Sequence, residues 1–294
     1  MECEIDDFIT YLHVVKKTTK NTELSYRRDL LKLHKYLQVQ NVESTQAITT
    51  TVLNSYILEL EKQGFAVATI SRNIASMKAF MLYLIKKGKA CESVLQVLKS
   101  PKVEKKAPDI LTKEEMACLL EQPDLKTKKG IRDRAMLELL YATGVRVTEL
   151  VSLKASDVNL KLNYITCRDL DRERSIPLGR EACLALERYL NEVRVSMSKG
   201  DNKDLLFYNC SGSAMSRQGF WKLVKLYASQ AGIMSDITPH TIRHSFAAHL
   251  VENGADLKLV QEMLGHADIS ATQIYISANQ KHMRDVYLRT HPRK

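Results

Sequence analysis

Residues 238–250 read TPHTIRHSFAAHL and predict a helix that begins at a defined point. Thr238 is a residue type favoured as an N-cap, and Pro239 suits the first helical position, where the missing N–H costs nothing. His240 and Arg243 then lie three residues apart, on one face of the first turn. The stretch therefore places two basic side chains together at the start of a helix.

A second stretch, LGHADISATQIY at residues 264–275, contains a histidine and a tyrosine nine residues apart. In one straight helix His266 and Tyr275 would be about 13.5 Å apart along the axis. Gly265 is suited to ending a helix, and Ser270 opens a capping-box pattern that can start the next one. The chain can turn between these positions, so we expect His266 and Tyr275 to converge.

A third stretch, YATGVRVTEL at residues 141–150, adds an arginine and a carboxylate. Gly144 is placed to end the preceding helix, and Arg146 and Glu149 follow it. Taken alone, an arginine and a glutamate at this spacing are most often a helix-end salt bridge, and a lone tyrosine is most often a core residue. The presence of all these groups in one chain favours a shared site.

Two arginines, two histidines and a tyrosine suit the chemistry of one phosphodiester. Attack on it builds charge on the phosphoryl oxygens, which planar guanidinium groups match with paired hydrogen bonds. A phenol with a pKa of about 10 leaves more easily than a sugar hydroxyl, so a tyrosine can attack reversibly if a histidine accepts its proton. Arginines can supply the charge neutralisation, and the sequence has no obvious cluster of metal ligands. We therefore expect neither a metal nor a cofactor.

Composition is consistent with this chemistry. Lysine and arginine number 44 against 34 acidic residues, a formal net charge of +10 that favours nucleic acid before a membrane surface as partner. A merely soluble basic protein fits the charge about equally well. No apolar run can cross a bilayer and the N-terminus is acidic, so we expect a cytoplasmic protein with no membrane partner. Six scattered cysteines without a CxxC pair indicate reduced packing residues.

The chain divides at a basic segment with two prolines, LKSPKVEKKAPDILTKEEM. The prolines discourage a helix across it, and directly afterwards Thr112 and Glu115 have the capping-box spacing that starts one. We predict a helical domain at 1–100, a linker at 101–107 and a mixed domain at 108–294.

The predicted fold class is mostly α with a small β-sheet or hairpin in the second domain. In TELSYRRDLLKLHKYL, Leu24 and the later leucines form a broad apolar side. NYITCRDL and RERSIPLG have strand character and suggest a hairpin. A helical pattern resumes at REACLALERYLNEV and continues to the C-terminus.

Basic residues away from the apolar faces are usually a solvated surface. Because of the net charge, DNA contact is about as good an explanation for them. The candidate DNA-binding residues are Arg27, Arg28, Arg72, Lys78, Lys105, Lys106 and Arg172.

The segments TGVRVTEL, HTIRHSFAAHL, LGHADISATQIY and the terminal HPR resemble the signature boxes of tyrosine recombinases of the Xer type. The resemblance covers essentially the whole chain, since LSYRRDLLKLHKYL is similar to part of the family's N-terminal domain. The H-x-x-R box and the histidine-to-tyrosine spacing are specific, whereas RxxEL alone is weak. The resemblance implies a helical, SAM-like core-binding domain followed by a mixed α/β catalytic domain.

The resemblance implies covalent catalysis through a tyrosine. Tyr275 would attack the scissile phosphate, leaving a 3′-phosphotyrosine link and a free 5′-hydroxyl. His240 would take and return the phenolic proton, and His266 would hydrogen-bond the phosphate and help to place Tyr275. The 5′-hydroxyl of a partner strand would reverse the reaction without ATP.

The arginines and the glutamate complete the implied site. Arg146 and Arg243 would hold the non-bridging oxygens, and Glu149 would be a supporting residue that orients the site. Recombination needs four active sites on two duplexes. The implied partners are therefore a double-stranded DNA recombination site and further subunits, in a homo-tetramer or in a hetero-tetramer with a related recombinase.

The hairpin departs from the family's pattern. Members usually have a lysine, in a GKG ahead of ER..PL, as the acid for the leaving 5′-hydroxyl. Counting back from Pro177, this chain has Asp169 at that position, beside Arg168. Asp169 has the wrong charge for the role. Arg168 is therefore the candidate substitute, with Arg172 on the other side.

Three functions are compatible with these features. The leading one is a site-specific recombinase. It is either an Xer-like resolvase or a mobile-element integrase or excisionase, and the altered hairpin slightly favours the mobile-element enzyme. A type IB topoisomerase would use the same chemistry to relax DNA, but the HPR terminus and the Xer-like boxes argue against it. A DNA-binding accessory protein of the same fold with weak cleavage is allowed by the missing lysine.

Overall fold

The computed structural model describes residues 1–97, 109–169, 172–198 and 204–265. The chain divides into two compact units, Met1–Lys105 and Lys106–Lys294, each with an apolar core of its own. The linker predicted at 101–107 lies outside the described residues. None of the helices that the structure describes is long and apolar enough to cross a membrane.

The first unit is built from four amphipathic helices. Two of them begin with a threonine cap: Thr19 accepts a hydrogen bond from the N–H of Thr22, and Thr49 accepts one from that of Val52. Aromatic and aliphatic side chains from all four helices form the core. The helices are α1 (Glu2–Val14), α2 (Lys20–Val39), α3 (Thr50–Lys62) and α4 (Val67–Lys86), with 3₁₀ turns at Thr45–Ala47 and Glu92–Val97.

The apolar side of α2 is narrower than predicted. Leu30, Leu33 and Leu37 are buried and Leu31 is partly buried, but Leu24 is 45% exposed. Glu23 turns inward instead, and its carboxylate lies 3.1 Å from His13 Nδ1 and 3.3 Å from Thr18 Oγ1. A polar network at the start of the helix therefore takes the place that the pattern assigned to Leu24.

The second unit contains a three-stranded antiparallel sheet in the order β1-β2-β3. The strands are β1 (Val158–Asn159), β2 (Tyr164–Asp169) and β3 (Arg172–Pro177). The last two form the predicted hairpin, with Tyr164 opposite Pro177 at one end and Asp169 opposite Arg172 at the other.

The rest of the second unit is mainly helical. The predicted capping box is present, since Thr112 Oγ1 accepts from the N–H of Glu115 and the Glu115 carboxylate accepts from that of Thr112. The helices are α5 (Lys113–Glu121), α6 (Lys128–Thr143), α7 (Val147–Ser152), α8 (Arg180–Arg188), α9 (Val195–Met197), α10 (Arg217–Gln230), α11 (Pro239–Glu252) and α12 (Leu257–Leu264), with a π-helical turn at Tyr189–Arg194 between α8 and α9.

The prediction that helical structure continues from α8 to the C-terminus is wrong between α9 and α10. Residues 204–216 form turns and isolated β-bridges, one of them between Lys154 and Leu205. The consecutive side chains at 206–208 are all buried, which a helix with one apolar face does not allow. Residues 206–208 are therefore a short segment that is buried on both sides, and such a segment has an apolar run without being a helix.

The cysteines also differ from the prediction. All six lie among the described residues and none forms a disulfide. Cys167 is buried, but Cys3, Cys91, Cys118 and Cys210 are exposed. Their assignment as packing residues is therefore wrong for these four, because helix surfaces and turns tolerate a small polar thiol as readily as a core does.

A buried charged network fixes α6 against α10. Arg132 donates to one carboxylate oxygen of Asp133 at 2.6 and 2.8 Å and to the carbonyl of Tyr208 at 2.9 Å. Tyr227 on α10 donates to the other oxygen of Asp133 at 2.8 Å. Burial raises the pKa of Tyr227, and the adjacent carboxylate raises it further, so the phenol remains a donor. Each buried charge is paired, as burial in low dielectric requires.

Helix α6 ends at Gly144, as predicted, and this glycine is required for steric reasons. Its φ is 59°, in the left-handed region. A Cβ at this position would lie 2.3 Å from Cδ1 of Phe246 on α11 and 2.9 Å from Cδ2 of Leu264 on α12. The absence of a side chain therefore lets three helix segments meet where the chain leads to Arg146.

Replacing Gly144 with alanine should destabilise the second unit. The left-handed conformation costs about 1–2 kcal/mol for a residue with a Cβ, and overpacking adds about 1–3 kcal/mol. The matched control is Gly232→Ala, because Gly232 also has a positive φ (70°) but no atom within 4 Å of its Cβ position. Urea unfolding should show the larger loss for Gly144→Ala. Equal losses would mean that the close approach to Phe246 is easily relieved.

Candidate active site

Helix α11 begins as predicted and positions two of the candidate residues. Thr238 Oγ1 accepts a hydrogen bond from the N–H of Thr241 at 3.2 Å, and Pro239 lies in the first turn. His240 is exposed at the surface, whereas Arg243 is only 5% exposed. The first turn therefore presents a histidine to solvent and an arginine to the interior.

Arg243 and Arg146 meet at the C-terminal end of α12. Arg243 Nη2 donates to the carbonyl of Leu264 at 2.6 Å, and its Nη1 donates to the carbonyl of Gly144. Arg146 Nη2 donates to the carbonyl of Gly265 at 2.9 Å. The carbonyls of Leu264 and Gly265 are at the negative end of the α12 dipole, which favours the nearby positive charges. The structure therefore brings the two predicted arginines together.

Helix α12 ends at Gly265, as the sequence predicts, with a left-handed φ of 65°. The next residue in the chain is His266. His266, Ser270 and Tyr275 lie outside the described residues, so their convergence stays a prediction. The point from which the chain continues to His266 is nevertheless adjacent to both arginines.

Glu149 is bound more extensively than its sequence context indicates. Its Oε2 accepts a hydrogen bond from the backbone N–H of Arg146 at 2.7 Å, and Arg146 Nη1 lies 3.5 Å from its Oε1. Arg174 on β3 approaches both carboxylate oxygens, with Nη1 2.7 Å from Oε1 and Nη2 2.9 Å from Oε2. Burial alone would raise the pKa of Glu149, but the hydrogen bonds and charges of the two arginines outweigh it and lower that pKa. Glu149 is therefore an anion.

Arg174 is the residue of this site that sequence reasoning missed. Besides the contact with Glu149, its Nε donates to the carbonyl of Met263 at 2.9 Å. The available signal was the ER..PL motif of the hairpin, in which Arg174 is the arginine. The motif does not show which carboxylate the arginine faces, because Glu149 is 25 residues away in the chain.

His240 and His244 on α11 have lowered pKa values. For His240, partial burial lowers the pKa below 6.5, and the positive charges of Arg243 and Arg146 lower it further. For His244, burial acts first, followed by His240 and Arg243. A neutral imidazole can accept a proton near neutral pH. His240, with its exposed ring beside the arginine cluster, is in a suitable state for that task.

Arg168 is held by two carboxylates. Its guanidinium donates to Asp157, and its Nε lies 3.5 Å from Glu173 on the paired strand. The hydrogen bond and charge of Asp157 raise the pKa of Arg168 above its already high value, which makes it a poorer proton donor. The side chains of Asp169 and Arg172 lie outside the described residues.

The candidate DNA-binding residues of the first unit fall into two groups. Arg27 pairs with Asp6 at 3.0 Å, and Arg72 makes a two-pronged pair with the buried Asp29, with both hydrogen bonds at 2.8 Å. Arg28 and Lys78 are exposed. The first group therefore has structural partners. Lys105 and Lys106 are not among the described residues.

Two family models match the chain. Residues 109–282 match the phage integrase family, and residues 5–88 match the N-terminal SAM-like domain of phage integrases. The matches together span both compact units and exceed half of the chain.

Close relatives align over the full length. The chain is 44% identical to the tyrosine recombinase XerD of Oceanobacillus iheyensis, covering 100% of this chain and 99% of the relative. It is 42% identical to the XerD of Staphylococcus haemolyticus, covering 100% of both. The chain belongs to the phage integrase family. It is a tyrosine recombinase, an enzyme that cuts and rejoins DNA at specific sites.

Solved structures share this architecture. A XerH site-specific recombinase in a post-cleavage complex with a palindromic difH substrate has a TM-score of 0.76 and 26% identity, covering 90% of this chain and 78% of that one. A lambda integrase dimer bound to a core site has a TM-score of 0.74 at 16% identity, covering 94% of both chains, and shows the fold alone. The predicted fold class and enzyme class are confirmed.

The lowered pKa of His240 predicts the pH dependence of DNA cleavage. If His240 is the proton acceptor, its protonation should stop that role, so the rate should fall as the pH drops, with a midpoint below 6.5, the ordinary histidine value. The pH dependence of the single-turnover cleavage rate, measured at subsaturating protein, reports the pKa of His240 in the DNA-free enzyme. His240→Asn should be slow and should lose the acidic limb.

The matched control is His244→Asn, since His244 is one turn further along α11 and its pKa is also lowered. This variant should keep the acidic limb. Retention of the limb in His240→Asn, or its loss in His244→Asn alone, would assign the proton acceptor to a different group.

Proposed function

We propose that this recombinase is an Xer-type resolvase that exchanges strands at a double-stranded DNA recombination site, with Tyr275 as its nucleophile. Relatives named XerD, at 42–44% identity over the full chain, support this role. They favour a resolvase over the mobile-element integrase that the altered hairpin slightly favoured. The same matches give no support to a topoisomerase or to an accessory protein without cleavage.

The observation that carries the proposal is the convergence of two arginines directly before His266. Arg146 and Arg243 donate to the carbonyls of adjacent residues, Gly265 and Leu264. Two guanidinium groups bound to neighbouring carbonyls suit the two non-bridging oxygens of one phosphodiester. In the proposed site, Arg146 and Arg243 hold these oxygens and stabilise the charge that develops during attack.

Proton transfer accompanies the attack. The phenolic oxygen of Tyr275 forms a bond to phosphorus as the bond to the 5′-oxygen breaks. The phenolic proton passes to neutral His240, and the departing 5′-oxygen takes a proton from a separate acid. His266 donates a hydrogen bond to the phosphate. In the second half of the reaction a 5′-hydroxyl attacks the phosphotyrosine and returns its proton to that separate acid, while His240 returns its own proton to the departing phenol. One phosphodiester is exchanged for another, so no ATP is needed.

Glu149 is proposed to orient the site. Its carboxylate binds the backbone N–H of Arg146 and lies within 3.5 Å of that residue's guanidinium. It thereby holds Arg146 at the start of α7 without touching the scissile phosphate.

Assembly and DNA contact complete the proposal. Strand exchange between two duplexes needs four active sites, in a homo-tetramer or with a related recombinase, and the enzyme would act on DNA in the cytoplasm. In the first unit the exposed Arg28 and Lys78 are the stronger candidates for phosphate contacts, because Arg27 and Arg72 already pair with carboxylates. Lys105, Lys106 and Arg172 remain candidates on charge alone.

The central test is covalent capture of the protein on DNA. A nicked suicide substrate should trap the wild-type chain without added metal, and Tyr275→Phe should remove the adduct while DNA binding persists. The matched control is Tyr287→Phe, which should trap normally. An adduct that survives in Tyr275→Phe, or that maps to Tyr287, would overturn the assignment.

A second test concerns the acid for the leaving 5′-oxygen. If Arg168 assists departure, Arg168→Ala should cleave ordinary DNA about 10²–10⁴-fold more slowly, the range for general acid catalysis. On DNA with a 5′-bridging phosphorothiolate, whose sulfur leaves without a proton, the same variant should be nearly normal.

Asp157→Asn provides the matched control for that test. It weakens the ion pair that holds Arg168 but retains an acceptor for the backbone N–H of Lys154, which Asp157 Oδ2 binds at 2.8 Å. Equal losses of Arg168→Ala on both substrates would show that Arg168 serves only binding or folding.

A further inference from the structure

The end of α12 binds a third guanidinium that has no part in the proposed chemistry. Three successive carbonyls, those of Met263, Leu264 and Gly265, accept hydrogen bonds from Arg174, Arg243 and Arg146, respectively. The three arginines come from β3, α11 and the start of α7. Elements distant in the chain are thus joined at one helix end, directly before His266.

Arg174 makes more contacts here than an ion pair requires. Its two terminal nitrogens lie 2.7 and 2.9 Å from the two carboxylate oxygens of Glu149, and its Nε lies 2.9 Å from the carbonyl of Met263. A Cβ built at Gly265 would lie 3.1 Å from Arg174 Cζ. The backbone of Gly265 therefore packs against the guanidinium, and Arg174 touches both the carboxylate and the helix exit.

Through Glu149, the same guanidinium is connected to Arg146. Glu149 Oε2 binds the Arg146 N–H at 2.7 Å while it accepts from Arg174 at 2.9 Å. A shift of Arg174 would therefore be transmitted to the start of α7 and to the end of α12 at the same time.

We infer that Arg174 is a positioning residue for strand cleavage, which sets the guanidinium of Arg146 and the backbone leading to His266 relative to each other. The inference rests on the proposed roles of Arg146 and His266. Arg174 does not touch the scissile phosphate in this role. It acts through Glu149 and through the carbonyl of Met263.

Lysine cannot replace an arginine at this position. A guanidinium is planar, and its fork of N–H donors meets both oxygens of a carboxylate while Nε remains available for a third acceptor. An ammonium keeps the charge but cannot hold three fixed acceptors in one plane or support the backbone of Gly265. Arg174→Lys therefore tests geometry with the charge conserved.

A matched control separates positioning from ordinary stabilisation. Arg134 on α6 makes similar contacts, with Nη2 2.8 Å from the buried Glu138 and Nη1 donating to the carbonyl of Leu120 on α5. None of these groups belongs to the proposed site. Arg134→Lys should therefore cost stability without changing the chemistry.

The first measurement compares the two variants in the full-length protein. Arg174→Lys should lower the single-turnover cleavage rate on a suicide substrate by about 100-fold, the loss typical of a misplacement of about 1 Å. Its Kd for DNA should stay near the wild-type value. Arg134→Lys, matched for thermal stability, should cleave at nearly the wild-type rate. Equal cleavage losses in both variants would reduce Arg174 to a structural cross-link.

The second measurement is a double-mutant cycle with His266→Gln. If Arg174 acts by placing His266 and Arg146, Arg174→Lys should cost much less cleavage in the His266→Gln background than in the wild type. If the fold-losses in cleavage rate of the two single variants simply multiply in the double variant, the two residues act independently and the inference is overturned. A His266→Gln variant that cleaves normally would instead refute the proposed role of His266, so the two failures are distinguishable.

Discussion

Backbone carbonyls at the end of one short helix hold the arginine cluster of this enzyme in place. The last carbonyls of α12 have no partner within the helix, and guanidinium groups from three other elements bind them. This arrangement depends on Gly144, because a side chain there would collide with Phe246 and Leu264 and keep α6 and α12 apart. It depends equally on the left-handed Gly265, which ends the helix where the arginines converge.

Buried charges elsewhere in the second unit also have hydrogen-bonding or charged partners. Arg132 and Asp133 are both buried and form an ion pair with each other. Arg132 also donates to the carbonyl of Tyr208, and Asp133 accepts from the phenol of Tyr227. That network ties α6 to α10 and so fixes the helix that leads to Gly144. In the proposed site, Glu149 remains ionised in spite of burial because Arg174 and Arg146 surround it. Buried arginine–carboxylate pairs thus stabilise both the packing of α6 against α10 and the proposed active site.

Local signals in the sequence predicted the helix ends well. The cap at Thr238 and the stops at Gly144 and Gly265 follow from the conformational preferences of single residues, and the structure has all three. The hairpin was also predictable, since alternation and turn residues are local. These signals fixed the place of Arg146 and Arg243 on their elements, although not the carbonyls that they bind.

Long-range pairing was beyond the sequence. Nothing local indicates that Arg174 faces Glu149, or that Arg168 is held by Asp157. The segment at 204–216 was mistaken for helix because it contains a short apolar run that is buried on both sides. The hydrophobic pattern of such a run has no periodicity that distinguishes a strand from a helix. Tyr275 and His266 lie outside the described residues, so their part of the site rests on spacing and on the family.

The choice of carbonyls as partners also determines how much charge the site retains. A carboxylate beside Arg243 would fix the side chain but would cancel its charge. Two of its partners are the carbonyls of Gly144 and Leu264, which are dipoles with no net charge. A helix end contributes only about half an elementary charge. These two carbonyls therefore immobilise the buried guanidinium without cancelling its positive charge.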